Sequence, residues 1–505
     1  MSTSKRVITN TLWLYLRMGT SILANIFTTR ILLQALGASD YGLYNVIGGA
    51  ITMLGFLTAS MSTSTQRFIS YALGEGNQER LKSIFNNTLC VHYGIAGLSA
   101  ILLILASFIW FNGVLNIPEG MESAALFTYG CMVFNTVYSI TIVPYDGVLN
   151  AHENMRYYSI IGIFDVFVKL AIAIAVSFAT FDQLVIYAFL MALEAWGLRI
   201  VTKCYCSRHY AECKRQELRR YFNRDTIKEL TSFAGWNVIN LATLMFCLYG
   251  TNIFINHFWG TKVNAALGIA TQLSGVLMAV SMNMIKAITP VLVKSEGRRE
   301  RDNMLKITYI GCRFSFLLFS FFCIPIMLYI SPILKLWLKD VPEWTAIFCL
   351  LMMASTLIDQ LTIFLYQSLQ AQGDIKRYSI VKGFINILPL LCSIIFFRIV
   401  DCEPYWALVN LIIGKGILGG ITNLYYCRKN FSLSLRKFVS NVLTPCGTIT
   451  LCSFICGYLL KTTHPHWFVG ICLLFILNLP FYWFLGLNRQ ERGLVTGMIK
   501  TKIAV

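Results

Sequence analysis

Apolar runs of roughly 20 residues or more follow one another along the whole chain, separated by short polar stretches. At about 1.5 Å of rise per residue, each run is long enough to cross the hydrocarbon core of a bilayer as a helix. Fourteen such runs are read, at about 8–33, 41–73, 84–112, 123–149, 158–178, 183–205, 232–258, 265–293, 307–332, 343–370, 379–400, 404–427, 440–460 and 466–486. The ten-residue alternation of a membrane β-barrel is absent. The pattern therefore predicts an all-α polytopic membrane protein with fourteen transmembrane helices.

Composition agrees with this and excludes a soluble protein. The 505 residues are 56% hydrophobic and only 13% charged, with a mean hydropathy of +0.63. The first apolar run follows Lys5 and Arg6 and ends without a small-residue cleavage site, so it reads as an uncleaved helix. Most of the 16 cysteines fall inside apolar runs, where the thiol behaves as a small hydrophobe. Cys204 and Cys206 form a C-x-C, but no second pair or histidine cluster completes a metal site. No metal or cofactor is expected.

The net charge of +18 would suit nucleic acid in a soluble protein. Here it follows the positive-inside rule. With the N-terminus in the cytoplasm, 30 of the lysines and arginines fall on the inner side and five in the outer loops. Both termini are expected in the cytoplasm, and no nucleic acid is expected as a partner. The densest basic stretch, "CKRQELRRYFNRDTIKEL", lies between the sixth and seventh runs. It reads as a topology anchor in a linker, with contact to anionic lipid heads as the alternative.

The chain writes two polar hinges twice. "LNAHENMRYYSI" (149–160) joins runs 4 and 5, and "LQAQGDIKRYSI" (369–380) joins runs 10 and 11, with five of twelve positions identical. "EGNQER" (75–80) and "EGRRER" (296–301) share four of six at nearly the same offset. Runs 1–6 and 7–12 are thus two copies of one unit. Six is even, so the copies enter the membrane the same way. That makes them parallel repeats about an axis along the membrane normal, with a central cavity expected between them. The domains are then residues 1–205, a six-helix lobe; 206–231, a basic cytoplasmic linker; 232–427, a second six-helix lobe; and 428–505, two added helices and a tail. Helices 1, 2, 7 and 8 are expected to line the cleft.

Ionisable residues at membrane depth are costly and usually face a partner or a cavity. The basic ones are Arg17, Arg30, Arg67, Lys169, Lys286, Arg313 and Lys415; the acidic ones are Asp146, Asp165, Glu194 and Asp359. The excess is basic. Arg67 and Lys286 occupy nearly equivalent positions of the two repeats. Asp165 and Lys169, four apart, share a helix face and can pair. Asp359 and Lys415 lie near mid-membrane in the second bundle. Snorkelling is the reading for Arg30 and Arg313, and the alternative for Arg67 and Lys286.

"TTRILLQALGASDYGLYNVIGG", followed by a helix ending "TQRFISYALGEGNQERLKSIFNNTL", resembles the start of Wzx-type polysaccharide flippases. These belong to the multidrug/oligosaccharidyl-lipid/polysaccharide (MOP) exporter superfamily. The resemblance implies a MATE-like fold and alternating-access movement of undecaprenyl-pyrophosphate-linked oligosaccharide across the bacterial inner membrane. The product would feed O-antigen, capsule or exopolysaccharide synthesis. It implies membrane lipid, a polysaccharide polymerase and other assembly proteins as partners, and no catalytic residues. On this reading Arg17, Arg67, Lys286 and Lys169 are the substrate-binding candidates, because a pyrophosphate asks for several cationic donors. Asp359, Glu194 and Lys415 are the ion-coupling candidates; a carboxylate on helix 10 resembles the coupling position of related drug exporters. A lipid II flippase and a cation-coupled drug antiporter are the rival transporters. A membrane polymerase or ligase is disfavoured by the short outer loops, and the chain carries no Walker A motif.

Overall fold

The computed structural model describes residues 3–52, 55–109, 111, 120–214, 218–338, 341–399, 402–463, 466–488 and 491–493. The described residues are helical apart from short connections, with no strand among them. In chain order the helices are α1 (Thr3–Thr52), α2 (Gly55–Glu75), α3 (Gln78–Ile109), α4 (Glu122–Ala151), α5 (Met155–Ser177) and α6 (Gln183–His209). After a linker come α7 (Arg224–Gly297), α8 (Arg301–Leu328), the short α9 (Ile330–Leu338), α10 (Thr345–Gln360), α11 (Ile363–Gln372) and α12 (Lys376–Ile399). The last three are α13 (Trp406–Phe431), α14 (Leu435–Thr463) and α15 (Trp467–Gly486).

Eleven described helices are long and apolar enough to cross a membrane, twelve when α10 and α11, bent by 46° at their junction, count as one. Here α7 supplies two of them, Arg224–Gly260 and Lys262–Gly297. The remaining two expected spans, 8–33 and 41–73, fall on α1 and α2, which are helical but do not reach the same apolar length. The first carries Arg17 and Arg30, and the second runs across residues outside the description.

The sequence repeat is also a repeat of backbone geometry. α1 breaks at Gly37 (φ 73°, ψ 174°) and α7 at Gly260 (φ 78°, ψ −176°). Only glycine enters this region at low cost, so each copy turns from its first helix to its second on the same device. In the hinge after α4 the chain turns through Glu153 (φ 61°), and in the matching hinge after α11 through Gly373 (φ 93°). The other repeated loop keeps an ion pair. Arg80 meets Glu75 at 2.8 Å and Arg301 meets Glu296 at 3.6 Å, each tying a helix start to the preceding helix end.

The chain divides into two compact units, Thr9–Val238 and Met1–Ile8 with Ile239–Val505. In the first, α4 packs against α2, α3 and α6. Gly147 allows the approach to α2, since a Cβ there would stand 2.5 Å from Thr65 Cγ2. Helix starts are written locally: the Asn154 side chain accepts from Tyr157 N at 3.2 Å, and Asp182 accepts from Leu184 N and Val185 N. The hinge is further tied to the linker. His152 Nε2 lies 2.7 Å from the buried Glu212 carboxylate, and Asn154 donates to the hydroxyls of Tyr205 and Tyr210. Burial pushes the Tyr210 phenol up to about 12, so it stays protonated.

In the second unit α14 and α15 pack on α8. The contact is polar at its centre. Arg313 of α8 forms a buried ion pair with Glu491, just past α15, and also donates to Asn441 O at 3.3 Å. The snorkelling expected of Arg313 does not occur: the residue is only 6% exposed and is paired inside the unit. The cost of an uncompensated charge there selects an internal partner over a stretched side chain.

Gly37→Ala and Gly260→Ala should each lower stability by about 1–3 kcal/mol, because alanine at these dihedrals is strained. Gly19→Ala, mid-helix with open space around its Cβ, should be neutral or slightly stabilising. Thermal unfolding of the purified protein in detergent checks all three. Glu491→Gln, which leaves Arg313 buried against a neutral partner, should lower the midpoint more than any surface carboxylate change.

Candidate functional site

A cavity of about 440 Å³ opens in the N-terminal unit, walled by α1, α4, α5 and α6. Arg17, Lys169 and Glu194, three of the seven residues singled out from the sequence, converge on it. Arg17 is held by its neighbours: its guanidinium lies 4.4 Å from the Tyr158 ring centroid, and its Nε end rests on Gly162 of α5, where any Cβ would collide with it. That glycine makes room for the arginine, and the tyrosine face favours its charge. Tyr158 belongs to the repeated hinge motif, so the motif both turns the chain and positions Arg17.

Asp165 and Lys169 pair across one turn of α5, Nζ to Oδ1 at 2.9 Å, as their spacing allows. Glu194 approaches them from α6. It is 9% exposed, and its Oε1 has no hydrogen-bond partner. Its carboxyl lies close to that of Asp165. Two carboxylates this close repel one another, and Lys169 and Arg199 stand near enough to offset them.

Sequence reading missed Arg199, which it counted among the loop charges. Arg199 lies on the cavity wall, donates to Asn135 Oδ1 of α4 at 2.5 Å, and feels Asp146, Glu194 and Asp165. The signal was its place inside the sixth run, 183–205, five residues after Glu194. With it the cavity lining holds three cations (Arg17, Lys169, Arg199) and three carboxylates (Asp146, Asp165, Glu194). The chain-wide basic excess is not repeated locally. A balanced lining avoids the cost of net charge at membrane depth.

Arg67 stands elsewhere in the same unit. It is 8% exposed, with its guanidinium 4.5 Å from the Phe68 ring, 4.9 Å from Phe233 and 5.6 Å from Tyr71. Aromatic faces thus cover it within the unit. Lys286, half-buried on α7, belongs to the second unit, as do Asp359 and Lys415. Those two are joined, Lys415 Nζ to Asp359 Oδ2 at 2.5 Å. No group of three or more metal-ligating side chains occurs among the described residues.

The MatE family model matches residues 18–176 and again 238–395, so the chain belongs to the MatE family and carries its domain twice. The two matches are offset by the spacing of the repeated hinges. It is a polytopic membrane protein of that family. Among solved structures it is similar to a point mutant of a MATE transporter, with a TM-score of 0.74, 12% identity, and 86% of this chain and 97% of that one covered. It is also similar to an outward-facing multidrug resistance MATE family transporter of the MOP superfamily, at TM-score 0.73 and 12% identity over 86% and 96% of the two chains. A MOP superfamily transporter from Pyrococcus furiosus, described for the reverse polarity of its binding pocket, gives a TM-score of 0.72 at 12% identity over the same shares. No curated protein is similar enough in sequence to match.

Arg199→Met should destabilise the N-terminal unit, because it leaves three carboxylates facing one another with two cations. Adding Asp146→Asn should recover part of the loss. Asn135→Ala, which removes only a hydrogen bond, should cost less, on the order of 1–3 kcal/mol. Unfolding midpoints of the four proteins decide the ranking.

Proposed function

We propose that this MATE/MOP transporter moves undecaprenyl-pyrophosphate-linked oligosaccharide across the bacterial inner membrane for O-antigen, capsule or exopolysaccharide synthesis. The observation that supports this reading most is the N-terminal cavity. Its guanidinium, ammonium and carboxylate groups, with Tyr157 and Tyr158, suit a hydroxyl-rich head group better than a lone cation. Arg17, Arg199 and Lys169 are the groups there that can address a phosphate, and the planar fork of arginine matches its geometry. Arg67 and Lys286 complete the proposed cationic set. Both termini are placed in the cytoplasm on the charge bias of the loops. A polysaccharide polymerase and other assembly proteins would act on the product side.

Coupling to an ion gradient would run through Glu194 with Asp165 in the first unit and Asp359 with Lys415 in the second. Burial and a close carboxyl neighbour let proton occupancy change the local charge, and local charge biases a two-state transporter. A second reading, cation-coupled drug antiport, draws on the same Glu194, whose buried free oxygen could accept a proton or face a cationic compound. The two readings separate in cells. Deleting the gene should abolish surface polysaccharide under the first and raise sensitivity to cationic drugs under the second.

Arg17→Ala should reduce surface polysaccharide about tenfold or more with the protein still present in the membrane, and Arg17→Lys should restore it only partly. Unchanged polysaccharide in Arg17→Ala removes this residue from substrate binding. Glu194→Gln, which fixes the neutral form, should leave the protein folded but flatten the dependence of transport on the proton gradient; an unchanged dependence removes Glu194 from coupling.

A further inference from the structure

The second unit holds a charge cluster that its ion pair alone does not explain. Three helices meet around Lys415, and glycines let them do so. On α13 the run "IIGKGILGG" forms a π-helical turn over Ile412–Leu418 with Lys415 at its centre. Gly414 abuts the Pro389 ring of α12, Gly416 would bring a Cβ within 3.2 Å of Ile358, and Gly420 within 3.3 Å of Thr362. Asp359 sits at the end of α10, where the helix breaks before α11. The carboxylate and its lysine are thus both carried on irregular turns, which have more than one way to close their hydrogen bonds.

A second ammonium reaches this place. Lys382 of α12 is directed at α13, its Nζ lying where a Cβ of Gly419 would be, and it feels both Asp359 and Lys415. Among the described residues it makes no ion pair of its own. Two cations therefore attend one carboxylate. At membrane depth the surplus is costly unless both states of the cluster use it.

We propose that Lys382 is the alternate counter-ion of Asp359: the carboxylate is held by Lys415 in the conformation described here and passes to Lys382 when the α10–α11 break and the π-turn of α13 rearrange. Gly419 is the seat that keeps the second ammonium within reach. Lys382 is then a positioning residue that keeps Asp359 neutralised in the second state. The proposal concerns the charge cluster and is independent of the transported substrate.

The test reads membrane accumulation and unfolding midpoint of the full chain, neither of which needs the substrate. Lys415→Met alone should be tolerated, with accumulation within about twofold of the parent, because Lys382 takes over. Lys415→Met with Lys382→Met should lower accumulation roughly fivefold or more, by leaving the half-buried Asp359 unpaired. Adding Asp359→Asn to that double variant should restore it. Gly419→Ala, which displaces only the lysine tip, should be near-silent alone and should make Lys415→Met intolerable. If Lys415→Met alone is as damaging as the double variant, or the double is no worse than Lys415→Met, Lys382 is not an alternate partner. Failure of Asp359→Asn to rescue means that the loss does not come from an unpaired carboxylate, and this too overturns the proposal.

Discussion

A charge inside a bilayer must be answered by another group of the protein, and most of what is specific to this chain follows from that constraint. A bare ion pays a desolvation penalty that only a close partner or a wet cavity repays. Arg313 is met by Glu491, Lys415 by Asp359, Lys169 by Asp165, and Arg199 by Asn135 within the field of three carboxylates. Arg67 and Arg17 are met in addition by aromatic faces. Where the partners share one wall, as in the N-terminal unit, their mutual attraction leaves a polar cavity rather than a packed seam.

Glycine is the second part of the same solution. Ion pairs and arginine stems need space between helices that would otherwise be filled by Leu, Ile or Phe. Gly162 gives that space to Arg17, Gly419 gives it to Lys382, and Gly414, Gly416 and Gly420 bring the walls in around Lys415. At Gly37 and Gly260 the residue serves backbone shape instead, in dihedrals that a side chain would strain. The same residue type thus does two jobs, and the local surroundings decide which.

The units answer the charge problem differently. The N-terminal unit spreads six ionisable groups over a cavity, and leaves one oxygen of Glu194 without a partner. The C-terminal unit concentrates two lysines and one carboxylate at a helix break and a π-turn. Repeats that diverge at their charged positions but keep their hinges have preserved the mechanical frame while the chemistry inside each copy has been rewritten.

Hydropathy, the repeated hinges and the Asp165–Lys169 spacing were legible in the chain because each depends on neighbours in sequence. Helix period, turn chemistry and i,i+4 pairing are local rules, and a bilayer makes them stringent by forbidding unpaired backbone. The partners of Arg313 and Arg199 were not legible. Each is reached across a helix–helix contact, 178 residues apart for Arg313 and Glu491 and 64 for Arg199 and Asn135. Sequence alone established that a charge at membrane depth needs a partner, a cavity or an exit; only the packing of helices decided that Arg313 and Arg199 find theirs inside the protein, and in which residues.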